Sequence, residues 1–302
     1  MVLKSYLEHI LGKCNVKMDV PMSTRTTFRI GGNAKFFVTP KTRETMLRLA
    51  SALDYIEYPF RVIGAGSNVL FGDGGFDGVI IRPAFCEIVE NGNFIYADAG
   101  ASIGAVVKKA TELGLSGLEF ACKIPATVGG AVATNAHGHG ACIRDVVTLV
   151  DVLRGGEIIS IDMGKIAKTD IILGAYFYLR TGNTRDITAL IDEYTARRLA
   201  TQPTGASAGC TFRNPTPRDL VGAVAGGYIA PAGALIDQIG LKGTRIGGAE
   251  ISQKHANFIL NTGGATARDV VRLINLIKKS VLEKHGIKLT CEIERITNPR
   301  KK

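Results

Sequence analysis

Several things are missing from these 302 residues, and each absence narrows the field. Tryptophan is absent, which alone excludes little. No basic stripe interleaves with aromatics and no nucleic-acid-binding motif occurs, which argues against a nucleic-acid partner. No apolar run is long enough to span a bilayer. The least polar stretch, residues 221–236, is broken by glycines and by Pro231. No leader is evident, because the opening amphipathic pattern is interrupted by Lys4, Glu8 and His9. The six cysteines, at 14, 86, 122, 142, 210 and 291, form no Cys-x-x-Cys pair and show no metal-ligand spacing. Together these features predict a cytoplasmic protein with reduced thiols and no bound metal. Internal repeats and low-complexity tracts are also lacking. What is present is a net charge of +10, part of it in Arg300-Lys301-Lys302. That balance favours anionic small ligands, and equally suits an ordinary basic soluble protein.

Glycine carries the informative patterns. The first is the run 117–135, Gly-Leu-Glu-Phe-Ala-Cys-Lys-Ile-Pro-Ala-Thr-Val-Gly-Gly-Ala-Val-Ala-Thr-Asn. It reads as an irregular apolar stretch rather than a helix or strand. Ile124 before Pro125 is pushed to extended backbone. Gly129 and Gly130 remove side chains where a flat group could approach the main chain. A large planar cofactor is one partner for such a loop, and a buried turn with tight glycines is the other reading. The second pattern is Gly64-Ala65-Gly66-Ser67-Asn68, after a short apolar strand. Consecutive N–H groups there can form an anion-binding concavity suited to a pyrophosphate. The dinucleotide fingerprint fails, since Val69 stands where its third glycine belongs. A phosphate-binding P-loop fails too, for lack of Gly-Lys-Ser/Thr.

Further along, the spacing predicts helices over residues 42–54, 101–113 and 184–199, and around residues 231–239. A long C-terminal helix starts at Thr266 with Asp269 three residues on, presents Val270, Leu273, Ile274, Ile277 and Val281 to a core, and stops at Gly286. Hairpins are expected at Asn91-Gly92 and at Arg154-Gly155-Gly156, with strands over 171–179 and 287–296. The mixture is α+β.

Taken together the motifs resemble one family, UDP-N-acetylenolpyruvoylglucosamine reductase. The matches are collinear over almost the whole chain: Thr27-Phe-Arg-Ile-Gly-Gly32, the loop 64–70, the run 117–135, Ala208-Gly-Cys-Thr-Phe-Arg-Asn-Pro215, Ala232-Gly-Ala-Leu-Ile-Asp237 with Gly240-Leu-Lys-Gly243, Ser252-Gln-Lys-His-Ala-Asn-Phe-Ile-Leu-Asn261, and Leu289-Thr-Cys-Glu-Ile293. The resemblance implies an FAD-binding domain of the vanillyl-alcohol-oxidase (PCMH) type in two lobes over residues 1–195. A smaller α+β substrate domain follows over 196–302, with the last strand open to return to the first domain. It implies an NADPH-oxidising flavoenzyme that reduces UDP-N-acetylglucosamine enolpyruvate, holds FAD non-covalently, and works as a monomer in peptidoglycan precursor synthesis. Cys210 takes the position of the proton donor and Glu292 that of the glutamate assisting it, with Glu294 two residues away as the competing position. FAD contacts fall on Arg29, Gly64, Ala65, Gly66, Ser67, Asn68, Ile124, Pro125, Thr127, Gly129, Gly130 and Asn135. Substrate contacts fall on Arg213, Asn214, Lys254, His255 and Asn257. The chain departs from the pattern twice. The family's Tyr-Arg-x-Ser segment is absent between Ile161 and Ile171, where Lys165 and Lys168 offer only point charges. And Ala136-His137-Gly138-His139-Gly140 adds two histidines that could in principle bind a metal or attach a flavin. The rival readings are another FAD-linked oxidoreductase of this fold and a non-catalytic binding homologue.

Overall fold

The computed structural model describes residues 2–221 and 229–298. Much of the run 221–236, and the basic tail, therefore fall outside the described residues. Among those described, no helix is long and apolar enough to cross a membrane. The contacts divide the chain into two units: residues 1–20, 34–65 and 77–198 form the first, and 21–33, 66–76 and 199–302 the second. The break at 198/199 lies three residues from the expected one. Two early segments, 21–33 and 66–76, join the C-terminal unit, which a single cut in the chain does not capture.

The first unit contains α1 (Val2–Leu11), α2 (Arg43–Tyr55), α3 (Ile103–Glu112), α4 (Val128–Ala133) and α5 (Thr184–Thr201). One sheet runs in the order Val16–Pro21, Asn33–Val38, Phe76–Ile81, Phe60–Val62. Against it pack Leu7 and Leu11 of α1 and Met46, Leu49 and Leu53 of α2. The second sheet is antiparallel between neighbours, in the order Glu157–Ile161, Val147–Arg154, Ile171–Tyr178, Phe94–Asp98, Ile88–Asn91. Its inward residues Ile95, Ala97, Val150, Val152, Ala175 and Phe177 meet Ile103, Val106, Val107 and Ala110 of α3 and Val128, Ala131 and Val132 of α4. Burying each such branched side chain contributes about 1.5–3 kcal/mol.

Two expectations need correction here. The run 117–135 is not wholly irregular: it holds a 3₁₀ turn at Glu119–Ala121 and then α4. Thr127 starts α4 by accepting the Gly130 N–H, and Gly129 sits so close to Ala99 that a Cβ there would meet the Ala99 Cβ at 2.9 Å. Tertiary contact thus overrides the poor helix propensity of two glycines. The first hairpin turns one residue later than expected. Asn91 pairs with Phe94, so Gly92 and Asn93 make the loop, and Gly92 takes φ 57°. The turn at Gly155 and Gly156 is as expected, both with positive φ.

The second unit contains α6 (Ala232–Gln238) and α7 (Ala267–His285). An antiparallel sheet runs in the order Arg245–Ile246, Ala249–Ile251, Ile259–Asn261, and Val69–Phe71 pairs in parallel with Glu294–Ile296. The core gathers the expected stripe of α7 with Leu235 and Ile236, Ile251, Ile259, Phe28, Leu70 and Phe212. The Thr266–Asp269 capping box forms, and Asp73 adds a second cap by accepting the Ala267 and Arg268 N–H groups at 2.7 and 3.1 Å. Gly286 ends α7 with φ 63°. Gly286→Ala is expected to cost about 1 kcal/mol, through left-handed strain, in a denaturant titration. The last strand is shorter than expected. Residues 287–293 make only isolated bridges, at Ile287 and Cys291.

Candidate functional site in the second unit and the cofactor segments

Cys210 lies where the motif 208–215 crosses between two neighbours. It bridges Phe258 on one side, and Phe212 bridges Cys291 on the other. Between them Thr211 is held from both directions: its N–H donates to the Asn257 carbonyl at 2.7 Å, and its carbonyl accepts the Glu292 N–H at 2.9 Å. That last bond brings Glu292 alongside the residue after Cys210. The Arg213 N–H donates to Thr290 O at 3.0 Å and extends the ladder. Cys210 is half-buried and outside any disulfide. Glu292 is half-buried, whereas Glu294 is exposed.

Glu292 is also clamped from the glycine loop. Asn68 Nδ2 donates to Glu292 O at 3.2 Å, and the Glu294 N–H donates to Asn68 O at 2.9 Å. Sequence reading placed Asn68 with the cofactor and missed this contact, because the two residues are 224 positions apart. Upstream, Gly66 packs on Arg25 and Thr26, and its carbonyl accepts the Thr27 N–H at 3.1 Å. Thr27 Oγ1 in turn donates to Ser207 O at 2.6 Å. Arg29 is exposed, with φ 55°, and its carbonyl accepts from Asn261.

The proposed substrate residues fall into two groups. Arg213 and Asn214 are exposed, and the Asn214 side chain accepts the Ala232 N–H at 3.1 Å, at the start of α6. Lys254 is exposed and its ammonium donates to Leu199 O at 2.6 Å. His255 accepts the Asn257 N–H on Nδ1 at 3.3 Å and sets its ring edge on Phe258. Burial, and secondarily the nearby Lys242, lower its pKa, so it stays neutral with the proton on Nε2. Asn257 is only 3% exposed. Its amide spans Phe212, accepting the N–H at 2.9 Å and donating to the carbonyl at 2.8 Å. It therefore braces the Cys210 motif.

The cofactor segments carry their own signs of a ligand. Among the described residues, no backbone carbonyl accepts the N–H groups of Gly64, Ala65, Gly66, Ser67 or Asn68. A row of N–H groups of this kind matches pyrophosphate oxygens. Thr127 approaches Gly64 closely enough to exclude any side chain there. A Cβ on Gly130 would meet only Thr127 Oγ1, at 3.5 Å, which leaves space beside α4. Asn135, with φ 46°, accepts the Arg144 N–H and closes the segment. Ile124 and Pro125 lie outside helix and strand, and rather than a simple extended run they form a tight turn in which the Ile124 carbonyl accepts the Ala126 N–H at 2.9 Å. These residues fit an FAD.

The two departures from the family pattern are visible in the first unit. Residues 162–170 form a tight loop around Asp170, which takes Arg154 Nε and Nη2 at 2.8 and 2.6 Å and the Ala167 N–H at 2.7 Å. Arg154 lowers the Asp170 pKa, and Asp162 raises that of Lys165, its partner at 2.7 Å. Lys165 is thus already paired with a carboxylate. His139 stacks on Tyr194 with ring centroids 4.0 Å apart and planes 8° apart. Burial, then Arg198 and Arg197, lower its pKa. His137 is exposed, and among the described residues no group of three His, Cys, Asp or Glu could hold a metal.

Comparison with known proteins agrees with this geometry. Residues 202–296 match the family model of the UDP-N-acetylenolpyruvoylglucosamine reductase C-terminal domain, and residues 34–169 match an FAD binding domain. UDP-N-acetylenolpyruvoylglucosamine reductase of Geobacillus kaustophilus is 39% identical, covering 95% of each chain. That of Caldanaerobacter subterraneus is 36% identical, covering 97% of each. The crystal structure of the Thermus caldophilus enzyme superposes with a TM-score of 0.75 at 33% identity, covering 91% of this chain and 97% of that one. On these grounds the chain belongs to the UDP-N-acetylenolpyruvoylglucosamine reductase family, with its FAD-binding domain and family C-terminal domain both present.

Proposed function

We propose that this protein reduces the enolpyruvyl ether of UDP-N-acetylglucosamine to its lactyl ether, a step of peptidoglycan precursor synthesis, with NADPH as hydride source. The observation that carries the reading is the Glu292–Thr211 backbone hydrogen bond, which sets the two motif residues Cys210 and Glu292 on adjacent, bridged segments. Bound FAD supplies hydride transfer, accepting from NADPH and delivering to a carbon–carbon double bond. The residues of the chain have the remaining tasks. Once the terminal enolpyruvyl carbon has gained hydride, the carbon next to the carboxylate needs a proton. Cys210 gives it from Sγ and regains one from solvent. An ordinary thiol has a pKa of about 8.5, so it is mostly protonated at neutral pH and more acidic than an alcohol. Glu292 assists as hydrogen-bonding partner to the donor and the enolate. Arg213, Asn214, Lys254 and His255 meet the nucleotide sugar, for which a guanidinium and a neutral imidazole N–H are suitable donors. Loop 64–68 and residues 124–135, with Arg29, hold the FAD.

Residues to 195 hold cofactor and those from 196 hold substrate in this account. The protein acts as a monomer in the cytoplasm, where NADPH and thiols are both kept reduced.

Glu292 and Glu294 can be separated by mutation. Glu292→Ala is expected to slow turnover about a hundredfold or more, whereas Glu294→Ala, at an exposed position, leaves turnover near wild type. The converse order in steady-state kinetics would move the role to Glu294. The whole reading is tested by the visible spectrum under anaerobic NADPH. A flavin band that bleaches, then returns on adding the enolpyruvyl nucleotide sugar, supports it. A band that bleaches and stays bleached would favour a different acceptor, consistent with the self-paired loop 162–170.

A further inference from the structure

Asn257 grips the two residues that follow Cys210. Its backbone carbonyl accepts the Thr211 N–H at 2.7 Å. Its Oδ1 accepts the Phe212 N–H at 2.9 Å, and its Nδ2 donates to the Phe212 carbonyl at 2.8 Å. A primary amide offers the same donor and acceptor as a peptide group. The side chain thus stands in for a strand neighbour just beyond the Cys210–Phe258 bridge. Before Cys210 comes Gly209, with φ 76° and nothing within 4 Å of where a Cβ would lie. Glycine fixes little by itself. The place of the thiol is therefore set by what holds the residues after it, segment 290–292 on one side and Asn257 on the other. We propose that Asn257 is a positioning residue for proton delivery, its side-chain amide fixing the backbone after Cys210 so that the thiol stays aligned on the carbon it protonates.

The proposal rests on Cys210 as the proton donor, the role given to it above. The amide itself is out of reach of a nucleotide sugar, since Asn257 is only 3% exposed. Its link to the substrate side runs through the backbone. The Asn257 N–H donates to His255 Nδ1, and the Lys254 and His255 N–H groups rest on Ser252 Oγ at 3.1 and 3.3 Å. Replacing the Asn257 side chain leaves all three of these donors in place. The side chain therefore governs the rate of protonation and not the affinity for substrate.

Anaerobic stopped-flow of flavin-loaded Asn257→Ala and Asn257→Asp tests this. Alanine leaves the Phe212 N–H and carbonyl without their partner. Flavin reoxidation at saturating enolpyruvyl nucleotide sugar should slow about tenfold to a hundredfold, the scale of a misplacement of about 1 Å. The half-saturating substrate concentration and the rate of flavin reduction by NADPH should stay near wild type. Aspartate gives the sharper readout. Its protonated carboxyl can accept from the Phe212 N–H and donate to the carbonyl, as the amide does, whereas its ionised form cannot donate. Burial and the facing carbonyl hold that carboxyl above the ordinary carboxylate pKa. The ratio of variant to wild-type reoxidation rate should thus approach unity at low pH and fall as pH rises, while the ratio for flavin reduction stays flat. Cys210, Glu292, Arg213 and His255, the charged and titratable groups of the motif and the turn, are common to both proteins and cancel in the ratio. A raised half-saturating concentration with an unchanged limiting rate would overturn the proposal and make Asn257 a substrate contact. Two half-reactions slowed alike, or a lower melting temperature with neither slowed, would reduce the amide to a purely structural role. If the alanine variant fails to hold flavin, an aspartate ratio that is flat with pH still refutes the proposal. Wild-type protein that the nucleotide sugar does not reoxidise would instead remove the parent reading.

Discussion

Replacing Cys210 by alanine is expected to leave flavin reduction by NADPH intact and to slow the substrate-dependent half-reaction about 10²- to 10⁴-fold, the usual contribution of a positioned general acid. The two half-reactions part because only the second needs a proton at carbon. Little structural change should accompany the loss. Cys210 is half-buried, and the motif around it is held by the backbone of Thr211 and by the Asn257 amide. Cys210→Ser is expected to stay active, since a hydroxyl at the same place can still deliver a proton, more slowly because it is a weaker acid. Anaerobic stopped-flow of both half-reactions measures all of this. Normal reoxidation in Cys210→Ala would show that the proton comes from elsewhere.

The largest stability effect is expected away from the site, at Arg43. Its guanidinium joins two buried carboxylates in the first unit, Nε to Asp98 at 3.2 Å and Nη1 to Asp151 at 3.0 Å. Asp98 is 6% and Asp151 4% exposed. The Tyr96 hydroxyl and the Glu87 N–H also donate to Asp98, and Ser160 donates to Asp151. The guanidinium lies 4.8 Å from the centroid of the Tyr96 ring. The cluster ties α2 to two strands of the five-stranded sheet. Arg43→Met leaves two buried carboxylates without a cation, and a loss of about 3–5 kcal/mol follows. Arg43→Lys should recover only part, because one ammonium cannot reach two carboxylates as a fork does. Denaturant titration of the holoproteins measures both. A loss below about 1 kcal/mol for Arg43→Met would mean that water compensates the pair.

These two cases show which parts of the protein could be read from its sequence. Patterns that depend on neighbours along the chain were legible. Thr266, Asp269 and Gly286 announce the ends of α7, and its buried stripe follows from helical spacing. Gly155 and Gly156 announce a hairpin. The site was legible as a set of motifs, since Cys210 and Glu292 each sit in a recognisable run. Their proximity was not, because it depends on the Glu292–Thr211 pairing of residues far apart in sequence. The same holds for Arg43, whose partners are 55 and 108 positions away. Asn257 looked like a ligand contact because an exposed amide and a buried bracing amide have the same letter. Only its burial and its two bonds to Phe212 tell them apart. The helix α4 was hidden by its two glycines, which the sequence shows as breaks and the packing against Ala99 requires.

The missing arginine is the sharpest test of function. Loss of one electrostatic group of this kind costs about 10²- to 10³-fold in turnover, and the loop that takes its place pairs Arg154 and Lys165 with its own aspartates. The decisive measurement is mass spectrometry of the product formed from UDP-N-acetylglucosamine enolpyruvate and NADPH in deuterium oxide, with wild type beside Cys210→Ala. The account expects a lactyl ether carrying solvent deuterium at the carbon next to the carboxylate, formed by wild type and almost lost in Cys210→Ala. Wild-type protein that oxidises NADPH but leaves the enolpyruvyl ether unreduced would contradict it.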